Sequence, residues 1–220
     1  MLFPIVCVDN FYEDPDKIRD LALSLNYSKT EAICPGVRTD YLFNIDKNLF
    51  DKFCEKLMSL YYNFNVDGCS WTIETCFQRT ERKSDDFSSI LNTGWNHLDG
   101  NVLAAGVIYL NKNPISDGGT TISSLKTEKN SFDYTTRDQF YTEGLLENYE
   151  ETLKKHDSFF EDSLVIKNKY NRLIMYDSSY WHKETNFISS ETEDRLTQVF
   201  FIHNLESKTY PIQRLKTIHV

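Results

Sequence analysis

The stretch Trp95-Asn96-His97-Leu98-Asp99-Gly100 places a histidine and a carboxylate one residue apart. Side chains of an extended chain alternate, so His97 and Asp99 point to the same side and could offer two ligands to one metal ion. Downstream, Tyr180-Trp181-His182 supplies a second imidazole just after the strand-like run Arg172 to Asp177. Arg195 then opens another strand-like run, ending at His203. Two imidazoles and one carboxylate form a facial set that leaves three positions open on a non-haem Fe(II) ion. The His-x-Asp pair by itself is a weak signal. Asp99-Gly100 is equally a good turn dipeptide, beside which a histidine need only hydrogen-bond the acid.

The order of the surrounding motifs favours the metal. An apolar strand follows the pair and ends in Tyr109-Leu110-Asn111; Gly118-Gly119-Thr120-Thr121 comes next, then His182, then Arg195-x-Thr197. With these residues the sequence resembles the Fe(II)/2-oxoglutarate-dependent dioxygenases, and among them the prolyl 4-hydroxylase-like branch, over roughly residues 71 to 204. The resemblance implies a double-stranded β-helix (jelly-roll) with His97, Asp99 and His182 as iron ligands and catalytic centre. It also implies that Arg195 receives the distal carboxylate of 2-oxoglutarate, for which a planar guanidinium fork is suited. Thr197 would offer a hydroxyl from the same side of that strand, and Tyr109 would bond the same carboxylate. The implied reaction consumes O2, with ascorbate as an accessory reductant, releases succinate and CO2, and hydroxylates an unactivated C–H bond. The nearest family substrate is a prolyl residue of a peptide or protein; a free amino acid or other small metabolite is the alternative. The chain departs from the family pattern in a long insertion and in Gly118-Gly119-Thr120-Thr121, where an acidic residue often precedes the threonine.

Each candidate has a plainer reading. Arg195 could pair with Glu193 or Asp194, Gln78 is better explained as a surface residue than as a co-substrate contact, and Trp95 and Trp181 could pack rather than wall a site. Of the five histidines, His156 and His219 are expected in solvent, and His203 is set aside because its side of the strand begins with Arg195. Two other function classes compete: a jelly-roll binding or structural protein without turnover, and a hydrolase using another divalent metal. The hydrolase lacks an obvious general base and leaves Arg195 unexplained.

Composition narrows the partners. At 220 residues, with 40% hydrophobic and 14% aromatic content, the chain suits one α+β, mainly β domain with a sizeable core. A net charge of −9 disfavours a phosphate backbone as substrate. Five cysteines with no C-x-x-C pair argue against a disulfide framework or a zinc cluster. The N-terminus has no basic segment leading into a long apolar one, and no apolar run is long enough to span a membrane, so the cytoplasm is the expected compartment.

Residues 1–69 are expected to support the core. They contain a strand from Phe3 to Val8, a helix capped by Asp14 with Pro15 at its first position, loop and strand around Tyr41-Leu42-Phe43, and a helix from Lys47 to Asn63. Residues 70–204 form the core: strands at Ser70–Arg79, Asn101–Leu110, Thr120–Ile122, Leu164–Ile166, Arg172–Tyr176 and Arg195–His203. The polar loop 80–92 reads as surface or as a substrate rim. An insertion over about residues 124–162, helical from Arg137 to Lys155, is either a lid or a fixed cover. The strands Leu164–Ile166 and Arg172–Tyr176 should be joined in a hairpin-like way. The tail, 205–220, is expected to pack loosely.

Overall fold

Asp14 begins the first helix as predicted, its side chain accepting the Lys17 N–H at 3.1 Å ahead of Pro15. The structure, a computed structural model, describes residues 1–115, 118–126, 131–144, 147–188 and 193–215. In chain order the elements are β1 (Val6–Val8), α1 (Pro15–Ser24), β2 (Val37–Arg38), α2 (Leu42–Ile45), α3 (Lys47–Ser59), α4 (Phe64–Asp67), β3 (Ser70–Thr80) and β4 (Ala104–Tyr109). There follow β5 (Gly119–Leu125), α5 (Thr135–Glu143), α6 (Tyr149–Asp157), β6 (Phe160–Lys167), β7 (Leu173–Asp177), β8 (Trp181–Asn186), β9 (Arg195–Glu206) and α7 (Pro211–Leu215).

The strands form two antiparallel sheets, one ordered β1-β7-β4-β9-β3-β2 and the other β6-β5-β8. This is a mainly β jelly-roll whose two sheets stay open rather than closing into a barrel. The larger sheet is apolar on its outer face, where Phe77, Ile108 and Phe200 meet Ile18 and Ala22 of α1 and Phe53, Leu57 and Met58 of α3. Both N-terminal helices therefore cover one face, as the spacing of their apolar residues predicts. Its inner face carries Ala105, Tyr109, Ile174 and Tyr176, which meet Ile122 and Ile166 of the smaller sheet. Strand β4 is internal and buried on both faces, which explains its unbroken apolar sequence.

Several expectations are corrected. Tyr41-Leu42-Phe43 leads into the short helix α2, because Asp46 ends that turn and caps α3 through the Leu49 N–H. Helix α3 stops at Ser59, short of Asn63. The insertion holds two helices rather than one: α5 ends at Gly144, whose φ of +73° closes the turn. Leu145 and Leu146, expected on that helical face, lie outside the described residues, as does His219. Strands β6 and β7 are not a hairpin, since β6 pairs with β5 in the smaller sheet and β7 with β1 and β4 in the larger. The tail is anchored through α7, with Arg214 paired to Asp67 at 3.1 Å and the Ile212 N–H bonded to Leu2 O.

Candidate metal centre

The segment before β4 returns to the smaller sheet at a single antiparallel bridge, His97 opposite His182 on β8. That pairing brings the two imidazoles together, with ring centroids 4.3 Å apart. Asp99, on the same side of the chain as His97, lies between them: its Oδ1 is 3.8 Å from His97 Nε2 and its Oδ2 3.4 Å from His182 Nε2. One donor atom from each residue falls within 4.8 Å of the others, the only such His/Cys/Asp/Glu group among the described residues. An octahedral ion with bonds of about 2.1 Å needs adjacent donors about 3 Å apart, so small side-chain adjustments would close this set.

The second nitrogen of each ring fixes its orientation. His97 Nδ1–H donates to Trp95 O at 2.8 Å, and His182 Nδ1–H donates to Tyr180 O at 3.0 Å. Both Nε2 lone pairs are thereby aimed at the carboxylate, the tautomer a metal ligand needs. Burial lowers the pKa of His182, with His97 adding to the effect and Asp99 opposing it, so the ring is held neutral.

These side chains face a cavity of about 310 Å³ between the sheets, which Arg195, Thr120, Tyr176 and Trp95 also line. Arg195 is 2% exposed and Thr197 fully buried. Neither acid considered as a partner for Arg195 reaches it: Glu193 pairs with Arg19 at 2.7 Å and Asp194 with Arg79 at 3.0 Å. Among the described residues, Arg195 Nε and Thr197 Oγ1 are left without hydrogen-bond partners. Tyr109 packs against the guanidinium, 5.7 Å from ring centroid to Cζ, and its hydroxyl bonds Thr120 Oγ1 at 2.8 Å. Burial, opposed by the Arg195 charge, pushes the Tyr109 phenol up to about 12, so it stays protonated.

Residues 3–202 match the profile of a family described as being of unknown function, DUF6445. The chain belongs to this family. Among solved structures, the DUF6445 chain is similar to HygX from Streptomyces hygroscopicus with nickel and 2-oxoglutarate bound: TM-score 0.56, 12% identity, 91% of this chain and 83% of that one. HygX with hygromycin B also bound gives a TM-score of 0.54 at 13% identity, with the same coverage. An oxidoreductase of the 2OG-Fe(II) oxygenase family from Burkholderia pseudomallei gives 0.50 at 12% identity, covering 90% of this chain and 83% of that one. The DUF6445 chain thus has the fold of the 2OG-Fe(II) oxygenases. None of the curated proteins matches its sequence.

Other residues of the DUF6445 chain stand where its sequence did not place them. Gln78 is 2% exposed and lines the cavity, accepting from Arg38 Nε at 2.7 Å. His156 is 5% exposed, not solvated; its Nε2 meets Asn96 O at 2.8 Å, so α6 is fastened to the segment carrying His97. Trp95 lines the cavity and donates to the Tyr149 hydroxyl at 2.9 Å, whereas Trp181 packs against Phe160 and Phe132. Ala32 to Pro35 help line the cavity, whereas no residue of the loop 80–92 does; that loop folds back on Asn92. Asn111 clamps the start of β9, donating to Asp194 O and accepting the Leu196 N–H on either side of Arg195. Its place in the Tyr-Leu-Asn triplet was the available signal. No helix among the described residues is long and apolar enough to cross a membrane.

Proposed function

We propose that this DUF6445 chain is an Fe(II)- and 2-oxoglutarate-dependent dioxygenase that hydroxylates an unactivated C–H bond. One observation carries the reading: in the wall of the cavity that holds the His-Asp-His set stands a buried arginine with no counter-ion among the described residues, and two residues on along its strand lies a buried threonine hydroxyl with no partner among them. An uncompensated buried cation costs several kcal/mol. A small diacid ending on Arg195 and Thr197 removes that cost, and its other end lies toward the metal donors. A purely structural jelly-roll offers no reason for this pairing.

His97, Asp99 and His182 would hold Fe(II), a neutral-imidazole and carboxylate set apt for that ion. Bound there with 2-oxoglutarate and O2, iron supplies the oxidising chemistry, with succinate and CO2 released. The protein supplies position and dryness. Arg195 and Thr197 anchor the distal carboxylate, and Tyr109 holds Thr120 and walls the guanidinium. Trp95 and Tyr141 close the side formed by the insertion, which acts as a fixed wall fastened through Tyr149 and His156.

The resemblance points to a prolyl residue of a peptide or protein as substrate. A small metabolite is the second reading, favoured by ionic groups in the cavity wall beyond the metal and co-substrate set. The test of turnover is succinate release from 2-oxoglutarate with Fe(II), O2 and ascorbate present. Release that is lost in His182→Ala supports the proposal; a wild-type protein that consumes no 2-oxoglutarate favours the binding or structural reading.

A further inference from the structure

Six ionic side chains line the cavity besides the two imidazoles: Arg38, Asp99, Arg137, Lys183, Glu184 and Arg195. Asp99 belongs to the metal set and Arg195 to the co-substrate. Arg137 is paired with Asp138 at 2.7 Å and Lys183 with Asp157 at 2.7 Å. That leaves Arg38 and Glu184, of opposite sign, neither of which has an ion-pair partner among the described residues.

Arg38 is held in place. Arg38 lies on β2, whose backbone is locked to Ser28 by two hydrogen bonds of 2.9 Å and to Gln78 by strand pairing. Gln78 Oε1 accepts from Arg38 Nε, while Gln78 Nε2 is tied to Pro35 O at 3.2 Å. The guanidinium stacks over Phe201 at 5.5 Å. Among the described residues only its Nε is hydrogen-bonded, so the terminal NH2 groups remain for a planar oxyanion. Glu184 shares a side of β8 with His182, and its Oε2 leans over Gly94, 2.3 Å from where a β-carbon there would lie. Glycine at 94 is what leaves the carboxylate room. Arg38 also lines a second cavity of about 610 Å³, which shares Ala32 and Phe201 with the first, so it stands where the two meet.

We infer that the primary substrate is a free amino acid, its carboxylate received by Arg38 and its ammonium by Glu184. The inference rests on the oxygenase assignment above and narrows its substrate. Half-desolvated charges with no counter-ion among the described residues are costly, and a zwitterion relieves both at once. A prolyl residue inside a protein has neither charge and relieves neither.

The test is calorimetry on the full chain loaded anaerobically with Fe(II) and 2-oxoglutarate. L-Proline is titrated first and then the other standard L-amino acids, each alongside its N-acetyl and its amide derivative. At least one free amino acid binds, and capping either end weakens it by about tenfold or more. Arg38→Gln removes the discrimination against the amide, Arg38→Lys restores part of it, and Glu184→Gln removes the discrimination against the N-acetyl form; thermal melts confirm that each variant is folded. Failure of every free amino acid to bind protein that has taken up 2-oxoglutarate, or equal binding of the capped forms, overturns the substrate and leaves the oxygenase standing. Failure to take up 2-oxoglutarate at all overturns the oxygenase assignment, and this substrate with it.

Discussion

His97 and His182 exchange both of their backbone hydrogen bonds, His97 N–H to His182 O at 2.9 Å and the reverse at 3.1 Å. The two imidazoles are thus set side by side by main-chain pairing, independent of any ion, and each is turned by the carbonyl two residues before it. A preset donor pair spends little on ordering when the ion arrives.

Removing either ring should therefore cost metal and little else. His97→Ala and His182→Ala are expected to weaken Fe(II) binding by at least about tenfold, read by competition with a chelator, while far-UV circular dichroism stays native. Burial places the His182 pKa below the ordinary value of about 6.5, so protons should compete with metal at this ring only below that pH.

Arg195 gives opposite results with and without ligand. Arg195→Met should weaken 2-oxoglutarate binding by about a hundredfold, the size of one bidentate charged pair. The same variant should melt higher than the wild type when no ligand is present, because a buried guanidinium with no counter-ion among the described residues is replaced by an apolar chain. With 2-oxoglutarate at about a hundred times its Kd, the wild type should gain about 2.7 kcal/mol and the variant far less. Paired melts with and without the diacid check both signs.

Asp177 ties the N-terminus to β7. Its carboxylate accepts the N–H groups of Leu2 and Phe3, and the hydroxyl and N–H of Ser179. Burial raises its pKa, but these hydrogen bonds together outweigh it and the net shift is downward. A folded pKa below the unfolded value of about 3.9 means the stabilisation is complete above that value and is lost as pH falls through it toward the folded pKa. Asp177→Asn should cost about 1–2 kcal/mol at neutral pH and flatten the loss of stability between about pH 5 and 3, measured by urea unfolding.

Gly119 opens β5 with φ +146°, and a β-carbon there would lie 2.1 Å from Ile166 O. Gly119→Ala should destabilise by about 2–4 kcal/mol. At Gly100, where an added β-carbon meets nothing within 4 Å, the same change should stay within about 0.5 kcal/mol, so thermal melts of the two variants separate a required glycine from a permitted one.

Period-two alternation made much of the site legible. It placed His97 with Asp99, Arg195 with Thr197, and Tyr109 with Ala105 and Val107 on shared faces, and the structure turns Arg195, Tyr109, Ala105 and Val107 inward. The same rule would have paired Glu184 with His182. Arg38 was not legible, because β2 is two residues long and exists only through pairing with β3. Gln78 read as a surface residue because the β2 edge that covers it was invisible locally. His156 and the division of the insertion were missed for a similar reason: a ring contact 4.9 Å from Trp95 and a left-handed Gly144 are tertiary and backbone facts that helical periodicity does not encode.

The central claim is that His97, Asp99, His182 and Arg195 form one binding site for an ion and a small diacid. Anaerobic titration of Fe(II)-loaded protein with 2-oxoglutarate tests it most directly. A visible charge-transfer band that saturates with the diacid, is absent in His182→Ala and needs much higher 2-oxoglutarate in Arg195→Ala is the predicted result. No band in the wild type, or a band unchanged by either substitution, would contradict it.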